Sequence, residues 1–306
     1  MQLSVAHFMV DLCKEMEYNR EQQGGSIMKI GLIDYMIDEW HANNYPAWIE
    51  LACEKLGVSA EIAYVWAEES APEGKMTTVE WCSHFSGEAC DTLEEVCEKS
   101  DVLMILAPSN PEKHLPYAER VLKYGKPTYI DKTFAPDAAS ARRMFELSRK
   151  YGAPMFSTSA LRYADELNGF EHVNAVTTTG GGSSLDEYCI HQIEMIIRLM
   201  GTEAKSVICG GSDKHATCMI DFGHGRTAVL NYGAQMPFTL DIQRAAGEDS
   251  VYLPVKSAYF PTLLEKIVGF YASSPVPVSE EQTIACMTLR EAVLKAAKEP
   301  GRRIAV

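Results

Sequence analysis

The run DVLMILA at residues 101–107 is apolar at almost every position, as in a strand buried on both faces of a sheet. A helical stretch follows at 111–124, stopped by Gly125, and then a second short apolar run, PTYID at 127–131. Strand, helix and strand in this order predict a right-handed crossover between parallel neighbours. Working toward the N-terminus, KIGLID at 29–34 and EIAYVWA at 61–67 are further strand candidates. The helix predicted between them, at 42–56, carries Trp48, Ile49, Ala52 and Leu56 on one side. Toward the C-terminus a helix at 137–151 is stopped by Gly152. Residues 28–155 therefore read as a doubly wound α/β domain with a parallel sheet.

Beyond Pro154 the pattern changes. Short β-rich runs at 173–179, 206–209, 216–222, 227–232, 239–245 and 251–255 are separated by turn signals such as GGS at 210–212, GHG at 223–225 and GED at 247–249. They predict an open, mainly antiparallel sheet in an α+β domain. A helix at 187–200 interrupts it, with Ile190, Ile193, Ile197 and Met200 at helical intervals and Gly201 as the stop. Two more helical patterns, Tyr259–Tyr271 and Glu280–Lys298, close the chain. The expected division is an extension at 1–27, poorly ordered and joined through Gly24-Gly25-Ser26, the first domain at 28–155, a substrate and oligomerisation domain at 156–279, and a C-terminal helical segment at 280–306. Met28 reads as the functional start.

The 306 residues suit two domains of about 150 residues each. Lys+Arg 28 against Asp+Glu 42 leaves a net charge of −14, and 46% of residues are hydrophobic. That composition is globular, and the acidic balance argues against nucleic acid or an anionic membrane as partner, because both need a positive surface. Small neutral or cationic partners fit it better. Nine cysteines, at 13, 53, 82, 90, 97, 189, 209, 218 and 286, form no C-x-x-C pair and read as reduced thiols of a cytoplasmic protein. No stretch approaches the roughly 20 apolar residues of a membrane span.

Ligands of open parallel sheets lie beyond the carboxyl ends of the strands, where strand order reverses. The residues to weigh therefore follow the strands. Lys132, directly after 127–131, places an ammonium at the cleft mouth, where it can hold a substrate hydroxyl and stabilise the charge that develops on its oxygen. Spacing alone favours the plainer reading, an exposed strand-end lysine paired with Asp131. His191 can exchange a proton near neutral pH, and Glu187, four residues earlier, shares its helical face and could fix its tautomer. A structural histidine on an apolar helix is the plain alternative.

At this point the chain resembles the Gfo/Idh/MocA oxidoreductases, mostly NAD(P)-dependent sugar and cyclitol dehydrogenases or reductases. Residues 107–110 (APSN) with His114 resemble that family's A/T-P-N-x-x-H element, and 125–133 (GKPTYIDKT) resembles its A-G-K-P-V-x-x-E-K-P segment. Residues 159–163 (SALRY) resemble N-x-R-F, and 187–194 (EYCIHQIE), running on to 199–201 (LMG), resembles the D-x-G-x-H-x-I-D helix. The order and intervals match across 28–306. The resemblance implies that Lys132 orients the reacting hydroxyl and the cofactor, that His191 is the acid/base, and that Glu187 supports the histidine. It implies that Pro108, Asn110 and His114 border a cofactor of the NAD or NADP type, that Arg162 and Tyr163 line a sugar pocket, and that the final helix packs back on the first domain. It further implies a homodimer or homotetramer formed through the open sheet.

The departures are concentrated at the first strand. Where the family has G-x-G-x-x-G/A, this chain has Asp34-Tyr35-Met36-Ile37-Asp38-Glu39, without any of the three glycines. Side chains at Asp34 and Met36 crowd the route of a diphosphate, and three carboxylates surround it. Two like charges about 4 Å apart repel by roughly 4 kcal/mol at an effective dielectric near 20. Three readings stay open. A rerouted loop could offer His41 and the amides of 40–44 to the phosphates; the cleft could bind a sugar-like ligand alone, as a regulatory or binding protein; or Asp34, Asp38, Glu39 and His41 could hold a metal. Glu68, after the second strand, could accept hydrogen bonds from an adenosine ribose and so favour NAD over NADP. An enzyme that holds NAD tightly for a redox-neutral elimination or epimerisation is a further alternative.

Overall fold

A computed structural model describes residues 26–212, 214–244 and 250–306. The expected extension at 1–27 therefore lies, up to residue 25, outside the described residues, as do Cys13, Ala245 and the 247–249 turn.

The first half alternates as expected: β1 (Met28–Asp34), α1 (Trp40–Leu56), β2 (Ala60–Ala67), α2 (Thr78–Phe85), β3 (Glu88–Ala89), α3 (Leu93–Lys99), β4 (Val102–Ile105), α4 (His114–Val121), β5 (Thr128–Ile130), α5 (Ala138–Tyr151) and β6 (Met155–Ser157). The strands form one sheet in the order β3-β2-β1-β4-β5-β6, parallel throughout. β4 is buried at all four positions, which explains its uninterrupted apolar sequence. Strand order reverses between β1 and β4, so a crevice opens beyond their carboxyl ends. β6 extends the first sheet two residues past the limit expected at 155.

The second half comprises β7 (Val173–Gly180), α6 (Leu185–Met200), β8 (Ser206–Gly211), β9 (His215–Gly223), β10 (Arg226–Gly233), β11 (Thr239–Arg244), β12 (Val251–Pro254), α7 (Tyr259–Tyr271), α8 (Glu280–Lys298) and β13 (Arg303–Ala305). Its sheet runs β12-β11-β7-β10-β9-β8-β13, antiparallel except where β7 meets β10. α6 lies on one face and is pinned by Gln192, which is fully buried: Nε2 donates to the carbonyls of Gly180 and Asn231 at 3.2 and 3.1 Å, and Oε1 accepts from Thr178 at 2.7 Å.

The closing helices divide their packing between the two halves. α7 lays Leu263, Leu264, Ile267 and Val268 into the core that holds Ile30, Leu32 and Val65, against α1. The Tyr271 hydroxyl reaches the Leu103 carbonyl at 2.6 Å. α8 packs chiefly on α6 and β8 and touches α5 of the first half.

Two of the cysteines read as thiols are instead joined: Cys209 and Cys218 form a disulfide. The β8–β9 register sets them directly opposite, with Cα atoms 4.0 Å apart, which sequence spacing does not reveal. The premise that every cysteine is reduced is corrected accordingly. Among the described residues, no helix is long and apolar enough to cross a membrane.

Candidate active site

A cavity of about 410 Å³ opens where α1, β4, β5 and α6 converge, and Lys132, His191 and Glu187 all line it, together with His41 and Pro108. Lys132 leaves the end of β5, and its Nζ donates to the Pro108 carbonyl at 3.0 Å and lies 3.8 Å from Asp131 Oδ2. The Lys132–Thr133 peptide is cis. Asp131 is buried beneath it. Its Oδ1 accepts from the Tyr129 and Tyr45 hydroxyls at 2.9 and 3.4 Å, and its Oδ2 lies 2.8 Å from His41 Nδ1, a close contact not aligned as a hydrogen bond. Burial alone would raise the Asp131 carboxyl, but its His41 and Lys132 neighbours and the Tyr129 hydroxyl hold it below the usual carboxylate range. The lysine thus rests on a fixed negative charge.

The opposite wall comes from α6, which the chain enters through Gly180-Gly181-Gly182. A Cβ at Gly181 would fall on the Gly233 carbonyl, and one at Gly182 on the Tyr188 ring, so the entry needs glycine for close approach. Ser184 caps the helix by accepting from Glu187 N at 3.2 Å. His191, half-buried, places Nδ1 2.6 Å from Ser159 Oγ. Burial lowers its pKa to about 3, helped by Lys132 and His41, so the imidazole is neutral at physiological pH.

The expected Glu187–His191 pairing is corrected. Helical side chains tilt toward the helix N-terminus, and Glu187 turns that way. It accepts from Ser109 Oγ at 2.8 Å and from Ser183 Oγ, while Ser159 holds the histidine. Sequence reading missed Ser159 as that partner. It also missed the aromatic wall formed by Trp40, Tyr188, Phe238, Tyr259 and Phe260. Trp40, 53% exposed, meets Phe260 edge-on at 4.8 Å between centroids.

Other expected site residues lie elsewhere. Arg162 is a buried bridge rather than a pocket residue: Nε pairs with Glu194 at 2.5 Å, and its carbonyl accepts from Arg198. Tyr163 belongs to a separate groove with Leu56 and Gly269. His114 is fully buried, with its ring nitrogens 3.1 and 2.6 Å from the Phe134 and Leu106 carbonyls, and so cannot border a cofactor. Asn110 bonds Glu112 at 3.0 Å, and neither it nor Met36 lines the cavity. Glu68 accepts from Lys113 and Tyr117, both at 2.5 Å.

The turn from β1 into α1 takes up several of its own backbone amides. Asp34 is buried, and its Oδ1 accepts from Tyr35 N at 2.7 Å and Ala107 N at 2.9 Å, holding Ala107 at a left-handed φ of 52° and so aiming the Pro108 carbonyl. Burial, with Glu39 close by, pushes the Asp34 carboxyl well above its usual range. Glu39 caps α1, accepting from His41 N at 2.8 Å and Ala42 N at 2.5 Å. Asn43 is spent on Asp38 and Trp81, and Asn44 on the Trp40 carbonyl. The His41, Ala42 and Asn43 amides, expected to meet phosphates, are therefore used within the chain. Nor do Asp34, Asp38, Glu39 and His41 converge closely enough to hold an ion.

No protein-family model matches the chain. A curated protein of Escherichia coli (strain K12), the uncharacterized oxidoreductase YhhX, is 28% identical over 94 residues, 31% of this chain and 26% of that protein. The matched stretch thus spans about a quarter of the relative's length. Solved structures align over nearly the whole described chain. The WlbA dehydrogenase from Bordetella pertussis, in complex with NADH and UDP-GlcNAcA, matches with a TM-score of 0.69 at 14% identity, covering 92% of this chain and 99% of that one. GenD2 from gentamicin A biosynthesis, in complex with NAD, matches with 0.72 at 12%, covering 92% and 98%. A biliverdin reductase from Synechocystis sp. PCC 6803, in complex with biliverdin and NADP+, matches with 0.64 at 15%, covering 90% and 99%. At these identities the likeness shows the fold.

Proposed function

We propose that this chain, built on the two-domain fold shared by those dehydrogenases and reductases, is an oxidoreductase that moves hydride between a nicotinamide cofactor and a secondary hydroxyl of a sugar, cyclitol or related polyol. The observation that carries the reading is the meeting of Lys132 and His191 on the walls of one cavity. The aromatic wall offers flat apolar surfaces to the carbon faces of a sugar ring, and Ser109, Ser159 and Glu187 offer hydrogen bonds to its hydroxyls.

His191, neutral and oriented by Ser159, accepts the hydroxyl proton. Lys132, fixed by the Pro108 carbonyl and Asp131, donates to the same oxygen and stabilises the negative charge that grows as the carbon–hydrogen bond breaks. A nicotinamide, when bound, supplies the hydride acceptor. The fit to such a cofactor divides along the crevice. The cavity beside Lys132 has room for a nicotinamide, whereas the β1–α1 turn, with Glu39 on the helix N-terminus, does not fit a diphosphate as it stands. Glu68 beside a ribose would repel a 2′-phosphate, which favours NAD over NADP.

The experiment is a dehydrogenase assay over a panel of polyols with NAD and NADP. Lys132→Ala and His191→Ala should each cut turnover by about 10²–10⁴-fold without unfolding the protein, and unchanged rates in both would remove the assignment. A second reading, a sugar-binding protein that takes no dinucleotide, is favoured by the Glu39 cap. Calorimetric silence toward NAD, NADH, NADP and NADPH would select it. We also propose pairing of two copies through the open face of the second sheet, where Met219 is 44% exposed. Light scattering that finds only monomer at micromolar concentration would rule this out.

A further inference from the structure

In parallel α/β folds the first helix directs its N-terminal amides and the positive end of its dipole at the diphosphate of a dinucleotide. Here that position already holds a carboxyl group of the chain itself. Glu39 stands at the N-cap of α1 in extended conformation, and its two carboxylate oxygens take the His41 and Ala42 amides at 2.8 and 2.5 Å. The Tyr35 amide, on the same turn, is taken by Asp34 at 2.7 Å. Asp34 Oδ2 is buried close to Glu39 and has no hydrogen-bond partner among the described residues.

We propose that Glu39 is a built-in substitute for the cofactor's diphosphate, so that a dinucleotide enters the crevice only by displacing this carboxylate from the α1 N-terminus. The inference rests on the oxidoreductase reading and adds to it the residue that sets cofactor affinity. Glu39 lines the same cavity as Lys132 and His191. After β2 the ion pair of Glu68 with Lys113 is also in place, but both side chains are near 30% exposed (30% and 28%), and exposed pairs are weak and easily rearranged. The Glu39 cap is the more buried obstacle of the two, and its carboxyl oxygens already occupy the helix-start amides.

The test is calorimetric titration of the full chain, as wild type, Glu39→Asn and Glu39→Gly, with NADH and with nicotinamide riboside, which lacks phosphate. Asparagine keeps a capping side chain without the charge, so that the helix start survives; glycine restores an open turn. Both variants should bind NADH at least tenfold more tightly than wild type, while their affinity for nicotinamide riboside changes less than threefold. Equal NADH affinity in all three proteins, weaker binding in the variants, no binding by any of them, or equal tightening for both ligands would each overturn the proposal. Failure of the underlying reading looks different. Variants that gain NADH affinity but oxidise no polyol would leave the displacement in place and remove the oxidoreductase, whereas polyol oxidation by a wild type whose affinity ignores Glu39 would do the reverse.

Discussion

The two ends of the crevice differ in what the chain has done with its charges. At the β5 end, Lys132 stands over Asp131, which is itself held by Tyr129, Tyr45 and His41, and the ammonium remains directed at an open cavity. At the β1 end, Asp34 and Glu39 consume the backbone amides around them, and the turn presents no comparable open donor set. Both ends use buried carboxylates. In one, the acid supports a cation that faces the cavity; in the other, the acids accept from backbone amides of their own turn. The comparison teaches that the two ends of one crevice can treat their carboxyl groups differently, because they lie on different strands.

The strongest way to break this contrast is at the reacting end. Lys132→Ala and His191→Ala should each lower kcat by about 10²–10⁴-fold, the usual scale for a positioned acid or base, with the folded state retained by circular dichroism. Next in size is the Arg162–Glu194 pair. Glu194→Leu leaves a buried guanidinium unpaired and should cost about 3–5 kcal/mol in urea unfolding. Adding Arg162→Met should recover most of it. Because Arg162 is a bridge outside the cavity, the double variant should keep the wild-type KM, and a raised KM would return Arg162 to the substrate site.

A pH series sharpens the same contrast. The folded-state pKa of His191, about 3, lies below the ordinary value of 6.5. Above pH 6.5 the imidazole is neutral in both states and contributes no slope. As pH falls from 6.5 toward 3 the unfolded chain gains the proton first, and stability is lost progressively. His191→Gln should flatten that acid slope in chemical denaturation, and an unchanged slope would mean that the histidine is not held neutral. Ser159→Ala, which removes the partner of Nδ1, should reduce kcat about tenfold with little change in KM, in keeping with one lost hydrogen bond. The smallest effect belongs to Glu68→Gln, an exposed pair whose loss should cost less than about 1 kcal/mol.

Much of the scaffold was legible because buried strands and amphipathic helices write their period into the sequence. The apolar run around β4 and the helical spacing of α6, α7 and α8 led to elements with nearly the expected limits. The missed pieces were short: α2 and α3 span 8 and 7 residues, too few to display a face, and β6 and β13 span three residues each. At the site, Lys132 and His191 could be read from their places after a strand and on a helix. Glu39 was legible only as a charge, because the helix was expected to begin at 42 and begins at Trp40, which hid its capping position. Ser159 and His191 are 32 residues apart on separate elements, and Cys209 meets Cys218 only through strand register. Arg162 and His114 looked functional because a motif does not say which way a side chain turns.

The central claim is that Lys132 and His191 act on one hydroxyl. A double-mutant cycle on kcat/KM, using the best polyol from the panel, measures this directly. If the two act as a unit, Lys132→Ala with His191→Ala should be no more than about tenfold slower than the slower single variant. Losses that multiply through the cycle would show two independent residues and contradict the shared carbinol.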